Sequence, residues 1–312
     1  MTMRPGPAGH DVATLDQPAF AVSVEEEFLL LDPDDGGGVP LGHRVVTTRP
    51  YGDLAELGER LDKMRWAAAV AAHGAGARLT AIGATPVSDI EPGMYRDTAV
   101  AGCRVRVSVP DRAVATDVCE RLRVWLPVIH AITANSPLHL GADSGQASWR
   151  SIRGLLDRRT TFWHASPWPA DPAVDVDAGD VCLTTAETVL AAGLVRGLVA
   201  TAVADIRAGR PAPRLRDGVL SVAYRRAAHS GLDGELVDPF AGQLRPAWEL
   251  VDELAALVRP ALAGDAELVD GGLAQLRRHG NGATRQRAVL RRTGSVPQVL
   301  DAVADQTLRP WR

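Results

Sequence analysis

Lysine is almost missing from this 312-residue chain: among its 34 lysines and arginines, Lys63 is the one lysine. A phosphate-loop or Schiff-base lysine must therefore be Lys63 or be absent. Cysteine is scarce too. Cys103, Cys119 and Cys182 are odd in number and far apart. That pattern fits reduced thiols better than a disulfide framework or a zinc site. The N-terminal twenty residues are rich in proline and glycine and lack an apolar signal core. No apolar run reads as long enough to span a bilayer, so a cytoplasmic location is the expectation. Excess charge is also lacking. A net charge of −4 gives no reason to expect nucleic acid or a membrane surface as a partner.

What is present is an ordinary globular composition, 46% hydrophobic and 23% charged, with length enough for a sizeable core. Residues 1–18 read as a disordered lead-in, and 19–312 as a single domain. The segment AVSVEEEFLLLD, Ala21–Asp32, sets three glutamates in a strand-like run. Strand alternation places Glu25 and Glu27 on one face and Glu26 on the other. Paired carboxylates repel unless a cation lies between them, and hard oxygen ligands suit Mg²⁺ beside nucleotide phosphates. An edge strand with a solvated acidic face is the alternative.

A loop follows at Asp32–Pro40, then a helix over Asp53–Gly74 with Leu54, Leu57, Leu61, Met64 and Ala68 in step. Ala77–Pro86 reads as a short buried strand. GCRVRVSVP, Gly102–Pro110, alternates cleanly, with Arg104, Arg106 and Ser108 on one face and Cys103, Val105, Val107 and Val109 on the other. Asp111 caps a helix expected to run to about Thr133. Ala134–Arg150 reads as a long polar loop of the functional kind. A third alternating segment covers AVDVDAGDVC, and a long apolar helix spans about Thr185–Ala208. The rest is mostly helical: about 220–230, 245–263, 265–279, 281–292 and 296–307. His130 and His139 have no partner at ligand spacing, and Trp163 and Trp168 could line a purine pocket or simply pack. Strands first and helices later argue for α+β with a largely antiparallel sheet.

Several of these segments carry a resemblance. VEEEFLLLDP (from Val24), GCRVRVSVPDR (from Gly102), ANSPLHLGADSGQASWRS (from Ala134), DVCLTTAETVLAAGLVRGLVAT (from Asp180), SGLDGELVDPFAGQLRPAWEL (from Ser230) and GATRQRAVLRRTGS (from Gly282) resemble, in order, the motifs of the carboxylate–amine ligases called type 2 glutamate–cysteine ligases. The resemblance implies a glutamine-synthetase-like fold, a curved antiparallel sheet forming a funnel and covered outside by helices. It implies ATP and Mg²⁺, phosphorylation of a carboxylate such as that of glutamate, and attack on the acyl phosphate by an amine such as that of cysteine. Glu25 and Glu27, with Asp175, fall on its metal-binding positions. Arg150, Arg285 and Arg287 fall on family arginines that could contact phosphate or carboxylate; Arg150 is the catalytic candidate, and Arg285 and Arg287 are cofactor-binding candidates with ordinary surface salt-bridging as the alternative. Small-molecule substrates are the implied partners, and a homo-oligomer is compatible with the pattern.

The departures are local. The family's His-x-His is Arg104 and Arg106 here. Guanidiniums cannot ligate a metal, though they can hold phosphate, so both count as cofactor-binding candidates. A strand glutamate is Asp175 and a strand arginine is Asp177. Upstream, an aspartate is His164 and an arginine is Ser166. The chain also reads as shortened between His43 and Asp53, near Met94–Ala101 and near Arg158–Thr161. Together these predict an ATP-dependent carboxylate–amine ligase with at most weak glutamate–cysteine ligase activity. The alternative is an inactive or repurposed member that binds a nucleotide, an anion or an active paralogue.

Overall fold

The computed structural model describes residues 20–33, 40–86, 99–156, 164–213 and 217–311. The expected N-terminal lead-in, Trp163 and most of the two shortened regions after residue 86 lie outside these.

Six strands form one antiparallel sheet: β1 (Val22–Leu31), β2 (Pro40–Thr47), β3 (Arg78–Thr80), β4 (Gly102–Ser108), β7 (Ala165–Pro167) and β8 (Ala173–Asp180). The order is β2-β1-β4-β8-β7, with β3 also on β1. Two small hairpins stand apart, β5 (Leu138–His139) with β6 (Ala142–Asp143), and β9 (Glu235–Val237) with β10 (Leu244–Pro246). The helices are α1 (Leu54–Gly74), α2 (Ala113–Leu122), α3 (Leu126–Thr133), α4 (Trp149–Leu156), α5 (Thr185–Arg207), α6 (Asp217–Ser230), α7 (Ala247–Val258), α8 (Ala266–His279), α9 (Gly282–Thr293) and α10 (Val296–Thr307). The expected α+β architecture with a largely antiparallel sheet is what the chain adopts.

The sheet has two unlike faces because its strands alternate. Val22, Val24, Cys103, Val105, Val107, Val174 and Val176 all point into one buried core with α1, α2 and α5. The cysteines are free and buried, as unpaired thiols should be. α5 starts with a capping box in which the Thr184 hydroxyl and Glu187 carboxylate each accept a backbone N–H of the other residue. By length and composition α5 could cross a bilayer, contrary to the expectation from the sequence, but 72% of its apolar window is buried within the protein. Its apolarity is that of a helix surrounded on most sides by core.

Several boundaries differ from the sequence expectation for backbone reasons. The helix after Asp111 breaks at 123–125 and restarts as α3, because Pro127 has no N–H to bond back to Arg123 and its ring crowds that carbonyl. Asp111 does cap it, accepting from Ala113 and Val114. Helix α7 stops at Val258 before Pro260, and short 3₁₀ turns follow. The strand expected over Ala77–Pro86 shortens to the three residues of β3, with Ala84 adding an isolated bridge to Val100. Residues 134–150 fold into the β5–β6 hairpin and the start of α4. Strand β2, Pro40–Thr47, is an edge of the sheet and carries no carboxylate.

Candidate functional site

The buried acid Asp180, at the end of β8, organises one wall of the site. It accepts bonds from the Asn135 N–H (2.8 Å) and the hydroxyls of Ser136 (2.7 Å) and Ser148 (2.8 Å). Burial raises its pKa, against the pull of Arg150 and these donors. Ser136 in turn accepts the Arg150 N–H, so the polar segment 134–150 is a scaffold that delivers Arg150 to the sheet.

The other sheet face is polar. Glu25 on β1 lies opposite Arg104 on β4, which lies opposite Asp177 on β8. The next row is Ser23, Arg106, Asp175 and Ser166. The side chains do not all bond straight across. Asp175 accepts from Arg104 at 3.2 Å and from Arg106 at 3.1 Å. The Arg104 Nε also stands 4.0 Å from Glu25. The Arg106 guanidinium stacks on Trp168, with Cζ 3.3 Å from the ring centre. Glu27 accepts the Gly102 N–H at 3.1 Å. The Arg150 guanidinium rests over Gly102, where a Cβ would collide with it, and reaches Asp177 at 3.2 and 3.4 Å.

Asp177 joins a second cluster. The His164 Nδ1 is 3.8 Å from its carboxylate. The His130 Nε2 faces its carbonyl at 3.0 Å. The rings of His130, His164 and Tyr224 pack together with centroids 4.2–5.1 Å apart. Burial alone would raise the Asp177 carboxyl, but Arg150, His164 and His130 outweigh it and hold it well below the usual range. Burial, helped by His164, pushes His130 down to about 3, so its ring is neutral and Nε2–H donates. His139 stacks on Trp149.

The predicted site residues are thus partly gathered. Glu25, Glu27, Arg104, Arg106, Asp175 and Arg150 share the polar face. Arg285 and Arg287 do not act as a pair. Two residues apart on α9, they diverge: Arg287 pairs with Asp143 of β6 at 2.9 Å, while Arg285 pairs with Glu187 of α5. Arg285 lines a cavity of about 570 Å³ among α5, α8 and α10. A cavity of about 660 Å³ between α1, β3 and α10 holds none of the predicted residues.

Glu26 does point away from Glu25 and Glu27, but it points into the core and not outward. It is fully buried against Arg65 of α1, at 2.5 and 3.0 Å, and also accepts the Thr188 hydroxyl at 2.6 Å. The spacing of α1 carried a signal for this partner. Arg65 falls between Leu61 and Ala68 on the buried stripe.

The donor set does not make a metal centre as it stands. Asp175 is taken up by two arginines, and Glu25 stands beside one of them. Among the described residues no three His, Cys, Asp or Glu side chains converge on one point.

A family model for glutamate–cysteine ligase family 2 matches residues 42–154 and 153–304. The chain belongs to glutamate–cysteine ligase family 2. A protein of Salinispora arenicola provisionally named glutamate–cysteine ligase 2 is 43% identical, covering 98% of this chain and 99% of that one. A protein of Mycolicibacterium vanbaalenii, provisionally named glutamate–cysteine ligase 2-2, is 37% identical over 92% and 98%. The first alignment runs over 378 positions, more than this chain's 312 residues, so that relative holds segments absent here. Among solved structures, the Francisella tularensis glutamate–cysteine ligase in complex with AMP has a TM-score of 0.64 at 10% identity, over 94% of this chain and 90% of that one. The Pup ligase PafA in complex with Pup has a TM-score of 0.59 at 13% identity, over 93% and 73%. These two show the shared fold. His164 and Asp177, both positions where the sequence departs from the motifs it resembles, face each other, with the His164 Nδ1 3.8 Å from the Asp177 carboxylate.

Proposed function

We propose that this family member is an ATP-dependent carboxylate–amine ligase with a slow glutamate–cysteine type of activity. The observation that carries the reading is the charged face shared by β1, β4 and β8, with Glu25, Glu27 and three arginines gathered on a rigid sheet. The AMP complex of the Francisella enzyme supports a nucleotide on the corresponding fold. ATP supplies the phosphoryl group. The substrate carboxylate attacks the γ-phosphorus and ADP leaves. The amine then attacks the acyl phosphate, and phosphate leaves as the amide forms. Such chemistry asks chiefly for placement and charge stabilisation. Arg104 and Arg106 stand where phosphate oxygens could be held in planar, bidentate fashion. Arg150 could orient the acyl carboxylate once Asp177 releases it, and that competition is the reason for slow turnover.

A second reading is a member that binds nucleotide or anion without turnover. It is favoured by the same Asp177–Arg150 contact, which already satisfies the arginine in the free protein. One assay separates the two. Purified protein is given ATP, glutamate or other carboxylates, and a panel of amines that includes cysteine, and both ADP and amide are followed. ADP and amide in equal amounts support the ligase. ADP without amide, or binding without ADP, supports the second reading. Absence of nucleotide binding defeats both.

A further inference from the structure

We infer that Arg104 and Arg106 stand in the place of a divalent cation on the polar face, and that the nucleotide's phosphates are taken there without a metal ion. The inference rests on the nucleotide-using reading above and specifies which cation serves it. Strand β4 lies between the acidic strands β1 and β8, so its outward side chains decide what neutralises Glu25 and Asp175. Those side chains are two guanidiniums. A guanidinium has no lone pair to offer a metal.

Asp175 shows how far the exchange has gone. Its side chain is only 6% exposed and accepts a charge-assisted bond from each arginine. To ligate a metal it would have to give up both bonds in a buried position. A cation bridging Asp175 and Glu25 would share their oxygens with Arg104, whose own charge opposes it at short range. The two arginines together carry the formal charge of one divalent ion, and Asp175 cancels half of it. Arg106 is fixed by its stack on Trp168. Arg104 is the adaptable member. It is 48% exposed, and a single N–H of its five reaches Asp175 at hydrogen-bonding distance. A phosphate meeting that fork would find the planar donor pair that guanidinium offers and a metal does not.

The test uses the full-length protein and two probes. Mn²⁺ alone, followed by electron paramagnetic resonance, should show no saturable site below about millimolar concentration. ATP affinity should change by less than about twofold between excess Mg²⁺ and excess EDTA. A tight Mn²⁺ site, or a loss of about tenfold or more in ATP affinity in EDTA, overturns the inference. Failure to bind ATP in either condition overturns the nucleotide reading itself, while the Mn²⁺ result still judges the metal clause. The double change Arg104→His with Arg106→His should create Mn²⁺ binding; a folded double variant that stays silent to Mn²⁺ contradicts the substitution. Should that variant not fold, Arg104→Gln, on a half-exposed side chain, should weaken ATP binding in EDTA by about tenfold, and unchanged affinity counts against the inference.

Discussion

The Glu26 carboxylate and the Arg65 guanidinium form a fully buried ion pair on the face of β1 opposite Glu25 and Glu27. Arg65 spends its remaining donors on the carbonyls of Cys182, Leu183 and Thr307 and on the Thr188 hydroxyl. Burial lowers its basicity, but Glu26 more than restores it. One pair thereby ties β1 to α1, α5 and α10. A buried pair is costly to break from one side, because the survivor keeps an uncompensated charge. Glu26→Ala should lose about 3–5 kcal/mol of stability in urea unfolding. Glu26→Leu with Arg65→Met should recover only part of that loss, because the carbonyls Arg65 serves are left without a donor.

Acid sensitivity should report on His130. Its folded pKa is lowered to about 3, whereas the unfolded chain binds its proton near pH 6.5. Between those values the unfolded state holds the extra proton, so stability falls as pH drops, by up to about 1.4 kcal/mol per pH unit from this group. His130→Gln keeps a donor for the Asp177 carbonyl and cannot titrate. Its urea midpoint should decline less steeply from pH 6.5 to 4 than that of the wild type.

Asp177 should act lower on the pH scale. Its depressed pKa means that its stabilising contribution is present above the ordinary carboxylate range and is lost as pH falls through the folded value. Asp177→Asn should be less stable at pH 7 and lose less on going below about pH 4. Equal acid slopes in variant and wild type would contradict the contact with Arg150.

Gly102 leaves room for the Arg150 guanidinium, and an added methyl would displace that flexible end without touching the core. Because that displacement also breaks the Arg150–Asp177 contact, Gly102→Ala should lower the melting temperature by about 4 °C or more while the chain still folds. ATP turnover should fall by about tenfold or more, the cost of a misplaced group at the site. Retained turnover would remove Arg150 from the site.

Much of this was legible in the chain. Strand parity alone put Glu25 with Glu27 and Arg104 with Arg106, and the two pairs do share one face. The apolar stripe of α1 was legible as well, but the role of its one charged member, Arg65, was not, because its partner lies 39 residues away in sequence. Register was the larger gap. Nothing local to β8 says that Asp175 falls between two arginines, or that Asp177 meets both Arg150 and His164. The divergence of Arg285 from Arg287 follows from helix geometry, where residues two apart face different ways. The Pro127 break was readable from its missing N–H. The role of Asp180 was not, since its donors come from residues 32–45 positions away.

The most direct measurement of the central claim follows oxygen from the carboxylate. Glutamate labelled with ¹⁸O in its γ-carboxyl group is incubated with the protein, ATP and cysteine, and the released phosphate is analysed by mass. An acyl-phosphate ligase transfers one carboxylate oxygen to each phosphate, in step with the amide formed. Unlabelled phosphate, or amide formed without label transfer, would contradict the account.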